Sequence, residues 1–159
     1  STVLVRRDVL SRVGFYDESI FPPADWDLWL RLSETAQAGY IREPLSKYRI
    51  TDNYIFNRLE QAYREELYVV EKFFQRHPDG YLRAKALSNL HLRFAQCYFV
   101  KNDELRFHEA YGRSIQLNPL NLKALLVGAG ARVASKNLRM KLTRRILRYS
   151  TANQPAGSR

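Results

Sequence analysis

The sequence predicts two unlike parts: a short mixed α/β piece over 1–53, then an all-α segment, so that the chain as a whole is predominantly helical. Three observations carry this. A β-branched run opens the chain, and two extended pieces flank Pro44. From Ile55 onward the apolar residues instead recur every three or four positions, the helical period. With 45% hydrophobic residues, 26% charged, 7 Gly and 6 Pro in 159 residues, the composition is that of a chain able to bury a core, and it excludes collagen-like, low-complexity and wholly disordered readings.

Taken in order, Thr2-Val3-Leu4-Val5 reads as a short strand, and such a strand needs neighbours to pair with. Arg7 to Val13 has helical spacing at Val9, Leu10 and Val13, and Gly14 stands where a helix C-terminal glycine belongs. Pro22-Pro23 breaks the chain, and Asp25 to Glu34 reads as a helix. Tyr40 to Ile50 reads as two extended pieces around Pro44, which cannot donate a ladder hydrogen bond.

The mixed part ends near Thr51-Asp52-Asn53. Beyond it Leu59, Tyr63, Leu67, Val70 and Phe74 form one apolar stripe, ended by His77-Pro78-Asp79-Gly80. Leu82 to Val100 and Asp103 to Leu117 read as two helices joined by a tight turn at Asn102-Asp103. A last helical stretch runs from about Leu122 to Tyr149, and 150–159 reads as a disordered tail. The helical extension thus spans 54–149.

Charge is distributed unevenly. Net charge is +10, yet basic and acidic residues balance up to Glu109; ten Lys/Arg and no Asp or Glu follow it. That asymmetry suits an anionic partner surface. Val127 to Tyr149 combines an apolar stripe at Ala131, Ala134, Leu138, Leu142 and Ile146 with seven Lys/Arg, as a basic amphipathic helix on an anionic membrane would. A solvated helix docked on the preceding hairpin fits the same pattern. No aromatic residues interleave with the basic face, so nucleic-acid binding is the less favoured reading. The longest apolar run, Ala124 to Ala131, is too short to span a membrane, and no signal peptide is visible. A single cysteine, Cys97, excludes a disulfide framework and a cysteine zinc cage, and points to a reducing compartment.

The densest chemical signal is Ala24-Asp25-Trp26-Asp27-Leu28-Trp29-Leu30-Arg31-Leu32. As a helix it is apolar nearly all round and should be buried. Asp27 and Arg31 are four apart, acid first, the favourable order for an ion pair. Asp25 has Trp29 at the corresponding position instead; an unpartnered carboxylate beside two tryptophans would have a raised pKa and could serve as a general base. Equally, an aspartate after Pro-Pro can be an ordinary helix N-cap.

Ser1-Thr2-Val3-Leu4-Val5-Arg6-Arg7, Val13-Gly14-Phe15-Tyr16-Asp17-Glu18-Ser19, Asp25 to Leu32, and Glu43-Pro44-Leu45 with Tyr48-Arg49 together resemble the acceptor-side half of family 2 glycosyltransferases, over about the first third of the chain. The resemblance implies the C-terminal portion (1–53) of a GT-A domain that uses a nucleotide-sugar donor. It places the catalytic base at Asp25, with inversion in a single displacement, and the substrate-binding residues at Trp26, Asp27, Arg31, Tyr48 and Arg49. Two positions depart from the family pattern, Ala24 before the base and Thr51 after the Tyr-Arg pair.

A divalent metal, Mg or Mn, is implied too, with its ligands outside this chain, because the only Asp-x-Asp here falls on the acceptor side. This chain alone would then be an inactive fragment of an enzyme making cell-envelope or polysaccharide glycans on a glycan or lipid-linked acceptor. It would be cytoplasmic, or peripheral on the inner face of the membrane. Ala95, Tyr98, Asn102-Asp103, Tyr111, Ser114 and Asn118-Pro119 resemble one tetratricopeptide unit, a generic helical hairpin being the plainer description. The rival readings are a non-catalytic helical interaction module and a basic nucleic-acid binder.

Overall fold

The computed structural model describes residues 3–21, 23–47 and 58–133. They form six helices: α1 (Arg7–Val13), α2 (Ala24–Ser33), α3 (Leu59–Arg76), α4 (Gly80–Val100), α5 (Glu104–Leu117) and α6 (Leu122–Val133). There is no strand among the described residues. Residues 3–6 and 39–47 carry no regular structure, so the described parts of the expected strand (3–5) and of the extended pieces around Pro44 (40–47) are not paired into a sheet; Thr2 and 48–50 lie outside the described residues. An extended segment becomes a strand only when a neighbour satisfies its backbone groups, and no described segment does so here.

Two compact units result, Ser1–Arg49 with Glu60–Pro78, and Ile50–Leu59 with Asp79–Arg159. Compactness therefore divides the chain differently from the pattern boundary near residue 53. Nearly all of α3 belongs with the first unit, because its polar side chains reach back: Gln61 Nε2 donates to the Phe21 carbonyl, and Arg76 pairs with Glu34.

In the first unit α1 forms where the spacing predicts. Gly14 follows it at φ 88°, a left-handed conformation that costs glycine nothing, and its N–H closes the last turn on the Leu10 carbonyl at 2.9 Å. The core is Val9 from α1 with Leu28 and Leu32 from α2, flanked by Val5, Leu10, Val13 and Trp29. α2 is consequently not buried all round. It turns Asp27, Leu28 and Leu32 inward and leaves Asp25, Trp26 and Ser33 outward. The buried face of α3 is also rotated from the expected stripe. Leu59 and Val70 are buried as expected, but Ala62 and Val69 are the most deeply enclosed, while Tyr63, Leu67 and Phe74 are only partly covered.

The second unit is a helical hairpin with a third helix against it. Asp79 caps α4 by accepting from the Leu82 N–H, so the helix starts at Gly80, two residues before the expected start. At its far end Asn102 takes a left-handed conformation, φ 58°. Its N–H meets the Phe99 carbonyl and the Asp103 N–H meets the Tyr98 carbonyl, the Schellman arrangement. Asp103 then caps α5 through the Arg106 N–H, so two residues end one helix and begin the next. The expected tight turn is this motif. Asn121 caps α6, which approaches α5 closely enough that a methyl group at Gly128 would overlap the Tyr111 hydroxyl. The rest of the stretch expected to run to Tyr149, and the 150–159 tail, lie outside the described residues.

Candidate active site

The largest ion network of the first unit converges on the start of α2. Pro23 holds the N-cap position, and its carbonyl accepts from the Trp26 and Asp27 N–H groups. The helix therefore begins one residue earlier than expected, and Asp25 is its second residue rather than its cap. The Asp25 carboxylate accepts from the Trp26 N–H at 2.9 Å and otherwise faces solvent. Enclosure of Asp25 by two tryptophans is thus not the arrangement found. Trp26 beside it is 41% exposed, whereas Trp29 packs against the core.

Asp27 behaves oppositely. It is 2% exposed, and each carboxylate oxygen meets a cation: Oδ2 lies 2.9 Å from Arg31 Nε, and Oδ1 lies 3.0 Å from Lys72 Nζ on α3. The i,i+4 pair expected from spacing is therefore present, but it is half of a larger network. Arg31 Nη1 donates to the Val13 carbonyl at 2.8 Å and Nη2 to the Phe15 carbonyl at 2.7 Å. The guanidinium thereby ties the C-terminal end of α1, where carbonyls lack helical partners, to α2.

Lys72 continues the network to Asp17 Oδ2 at 3.0 Å. Burial alone would lower the Lys72 pKa, but the Asp17 and Asp27 carboxylates outweigh it and raise it. The Asp17 carboxyl is held down at about 2, chiefly by the Ser19 hydroxyl at 2.6 Å and then by Lys72. At the other end of α2, Glu34 meets Arg76 at 3.0 Å and His77 at 3.1 Å. Desolvation would raise its pKa, yet those two partners lower it on balance.

The residues expected to make the site are thus separated by role. Asp25 and Trp26 stand together on the outer face of the first turn, while Asp27 and Arg31 lie beneath as the framework. Tyr48 and Arg49 lie outside the described residues. Sequence reasoning missed Lys72 and Asp17. Lys72 sits on the polar side of the α3 period, a position that carries no signal until α3 is known to pack on α2.

The Asp25-Trp26-Asp27 triplet does not fit a divalent metal, because both oxygens of Asp27 are already occupied by ammonium and guanidinium groups. Nor do three His, Cys, Asp or Glu side chains cluster anywhere among the described residues.

No protein-family model, no curated protein and no solved structure matches the chain.

Proposed function

We propose that the first unit is the acceptor-side portion of a GT-A, family 2-like glycosyltransferase, moving a sugar from a nucleotide-sugar donor to a hydroxyl group with Asp25 as general base. One observation carries the reading beyond the motif resemblance. The two aspartates of a single helical turn are divided, one fixed in a buried ion network and the other left in solvent beside a part-exposed indole. A base must be accessible to a hydroxyl proton and held in place, and the first turn of α2 meets both needs.

In this reading the Trp26 ring offers an apolar face for the C–H side of an acceptor sugar. Asp25 takes the proton as the acceptor oxygen forms its bond to the anomeric carbon. The nucleotide leaves from the opposite side with the bonding electron pair, and configuration inverts. The network of Asp27, Arg31, Lys72 and Asp17 contributes position alone. Donor binding, and any metal that serves it, falls to residues beyond this sequence, and no step here is routed through a metal.

The test is sugar transfer by the naturally occurring protein that contains this sequence, with Asp25→Asn and Trp26→Ala variants. Asp25→Asn lowers kcat by about 10²–10⁴-fold, the usual contribution of a general base, with the thermal midpoint unchanged, while Trp26→Ala mainly raises KM for the acceptor. Turnover that persists in Asp25→Asn removes the reading. A protein that transfers no sugar but captures a folded partner through the second unit would instead be an interaction module.

A further inference from the structure

The packing of α6 leaves an apolar face uncovered. Asn121 and Ala124 are buried, and Val127 and Gly128 are partly covered on the same side. On the other side Leu122 is 74% exposed, Leu125 45% and Leu126 73%, with Leu120 just ahead of the helix at 83%. Positions 122, 125 and 126, with Ala129, recur at helical spacing, so the three leucines form a single ridge. The ridge differs from the stripe expected around Ala131 to Ile146 and faces away from α5. Exposed leucines scattered singly need no explanation, whereas a contiguous ridge marks a contact surface.

Charge decides among the occupants. The sequence from residue 110 onward holds ten Lys/Arg and no acid, and Lys123 is exposed on the flank of the ridge. A second copy of the chain would bring the same positive charge against it. A nucleic acid matches the charge but offers no apolar medium for leucine side chains. An anionic lipid surface supplies both, with acyl chains for the leucines and headgroups for the cations. No described helix is long and apolar enough to cross a membrane, so the contact lies in the interface.

We propose that α6 docks on an anionic membrane surface through Leu122, Leu125 and Leu126, with Lys123 toward the headgroups. The proposal rests on α6 and the charge distribution, and it stands or falls independently of the transferase reading. It is tested by co-sedimentation of the chain with phosphatidylcholine vesicles, with and without phosphatidylglycerol. Binding is expected only to the anionic vesicles and weakens as salt is raised.

The Leu122→Ser, Leu126→Ser double variant changes only exposed positions, keeps its thermal midpoint, and loses on the order of tenfold or more in partitioning. Lys123→Glu weakens binding as well, without touching the ridge, and so provides a second check. Equal binding to neutral vesicles would overturn the proposal, as would unchanged binding of the double variant, which marks a purely ionic contact. So would a leucine-dependent dimer without vesicle binding, or tighter binding to an oligonucleotide that the leucine substitutions leave intact.

Discussion

Lys72 Nζ lies 3.0 Å from Asp27 Oδ1, and that single contact joins a helix of the second half of the first unit to the turn that carries the candidate base. The carboxylate it meets is almost wholly buried, while the ammonium is about a quarter exposed. A buried carboxylate with two cations and no water-facing oxygen gains little net stability over a well-packed apolar replacement of the whole network. Its consequence is fixity. Arg31 cannot rotate without leaving the Val13 and Phe15 carbonyls, and Asp27 cannot move without leaving both cations.

Removing Asp27 alone should therefore be costly. Asp27→Ala strands two cations that were placed to meet it, although Lys72 keeps Asp17 and Arg31 keeps two carbonyls. We expect a loss of about 3 kcal/mol, the low end for breaking a buried pair by one partner. Asp25→Ala, on the exposed side of the same turn, should cost no more than about 1 kcal/mol, the value of a carboxylate near a helix N-terminus. Both tryptophans, Trp26 and Trp29, lie in this unit, so urea unfolding followed by tryptophan fluorescence reports it selectively. Equal losses for the two variants would mean that Asp27 does not anchor the turn.

Local spacing made part of this legible. The bounds of α1, Gly14 after it, the Asp27–Arg31 pair and the Asn102-Asp103 turn are all short-range features, set by residues within a turn of one another. Lys72 meeting Asp17 and Asp27 depends on chain segments 55 and 45 positions apart, which periodicity cannot register. The burial of α2 was misjudged for a related reason. Counting apolar residues around the helix takes no account of the inward aspartate, whose cost is met only by partners elsewhere. Strand propensity at Thr2 to Val5 is likewise a conditional signal, since a strand requires a partner and none of the described residues provides one.

Acid should act on the two units in different pH ranges. Burial, with the Arg113 guanidinium adding to it, pushes the His91 imidazole on α4 down to about 4 from its ordinary 6.5. A folded-state pKa below the unfolded one means that the unfolded chain binds the extra proton first. The stability of the second unit is then fully present above 6.5 and declines as pH falls toward 4. Asp17 in the first unit, held at about 2 against an ordinary 3.8, contributes stability that is complete above 3.8 and lost only as pH falls toward 2. Helix content measured by circular dichroism in moderate urea should thus fall between pH 6.5 and 4 while tryptophan fluorescence holds steady. His91→Gln should flatten that decline; if it leaves the slope unchanged, another group controls it.

The α4–α5 contact gives a sharper test, because its polar centre is symmetric. Ser88 and Ser114 are fully buried, and each hydroxyl donates to the other's backbone carbonyl at 2.9 Å. A hydroxyl has one proton, so with both committed to carbonyls the 3.2 Å Oγ···Oγ approach is a close contact rather than a third bond. Asn121 Nδ2 donates to Ser88 Oγ at 3.0 Å and to Asn89 Oδ1 at 3.3 Å, so the cap of α6 leans on the same pair. Ser88→Ala should cost about 1 kcal/mol, since the Ser114 carbonyl keeps only the Asn118 N–H and Asn121 loses one acceptor. Ser114→Ala should cost less, because Asn121 keeps both acceptors. The double variant should cost less than the sum by at least about 0.5 kcal/mol, the signature of side chains acting through one network. Strict additivity in urea melts followed by circular dichroism would show that each hydroxyl binds its carbonyl independently, and the small side chains would then matter only for letting the two helices approach.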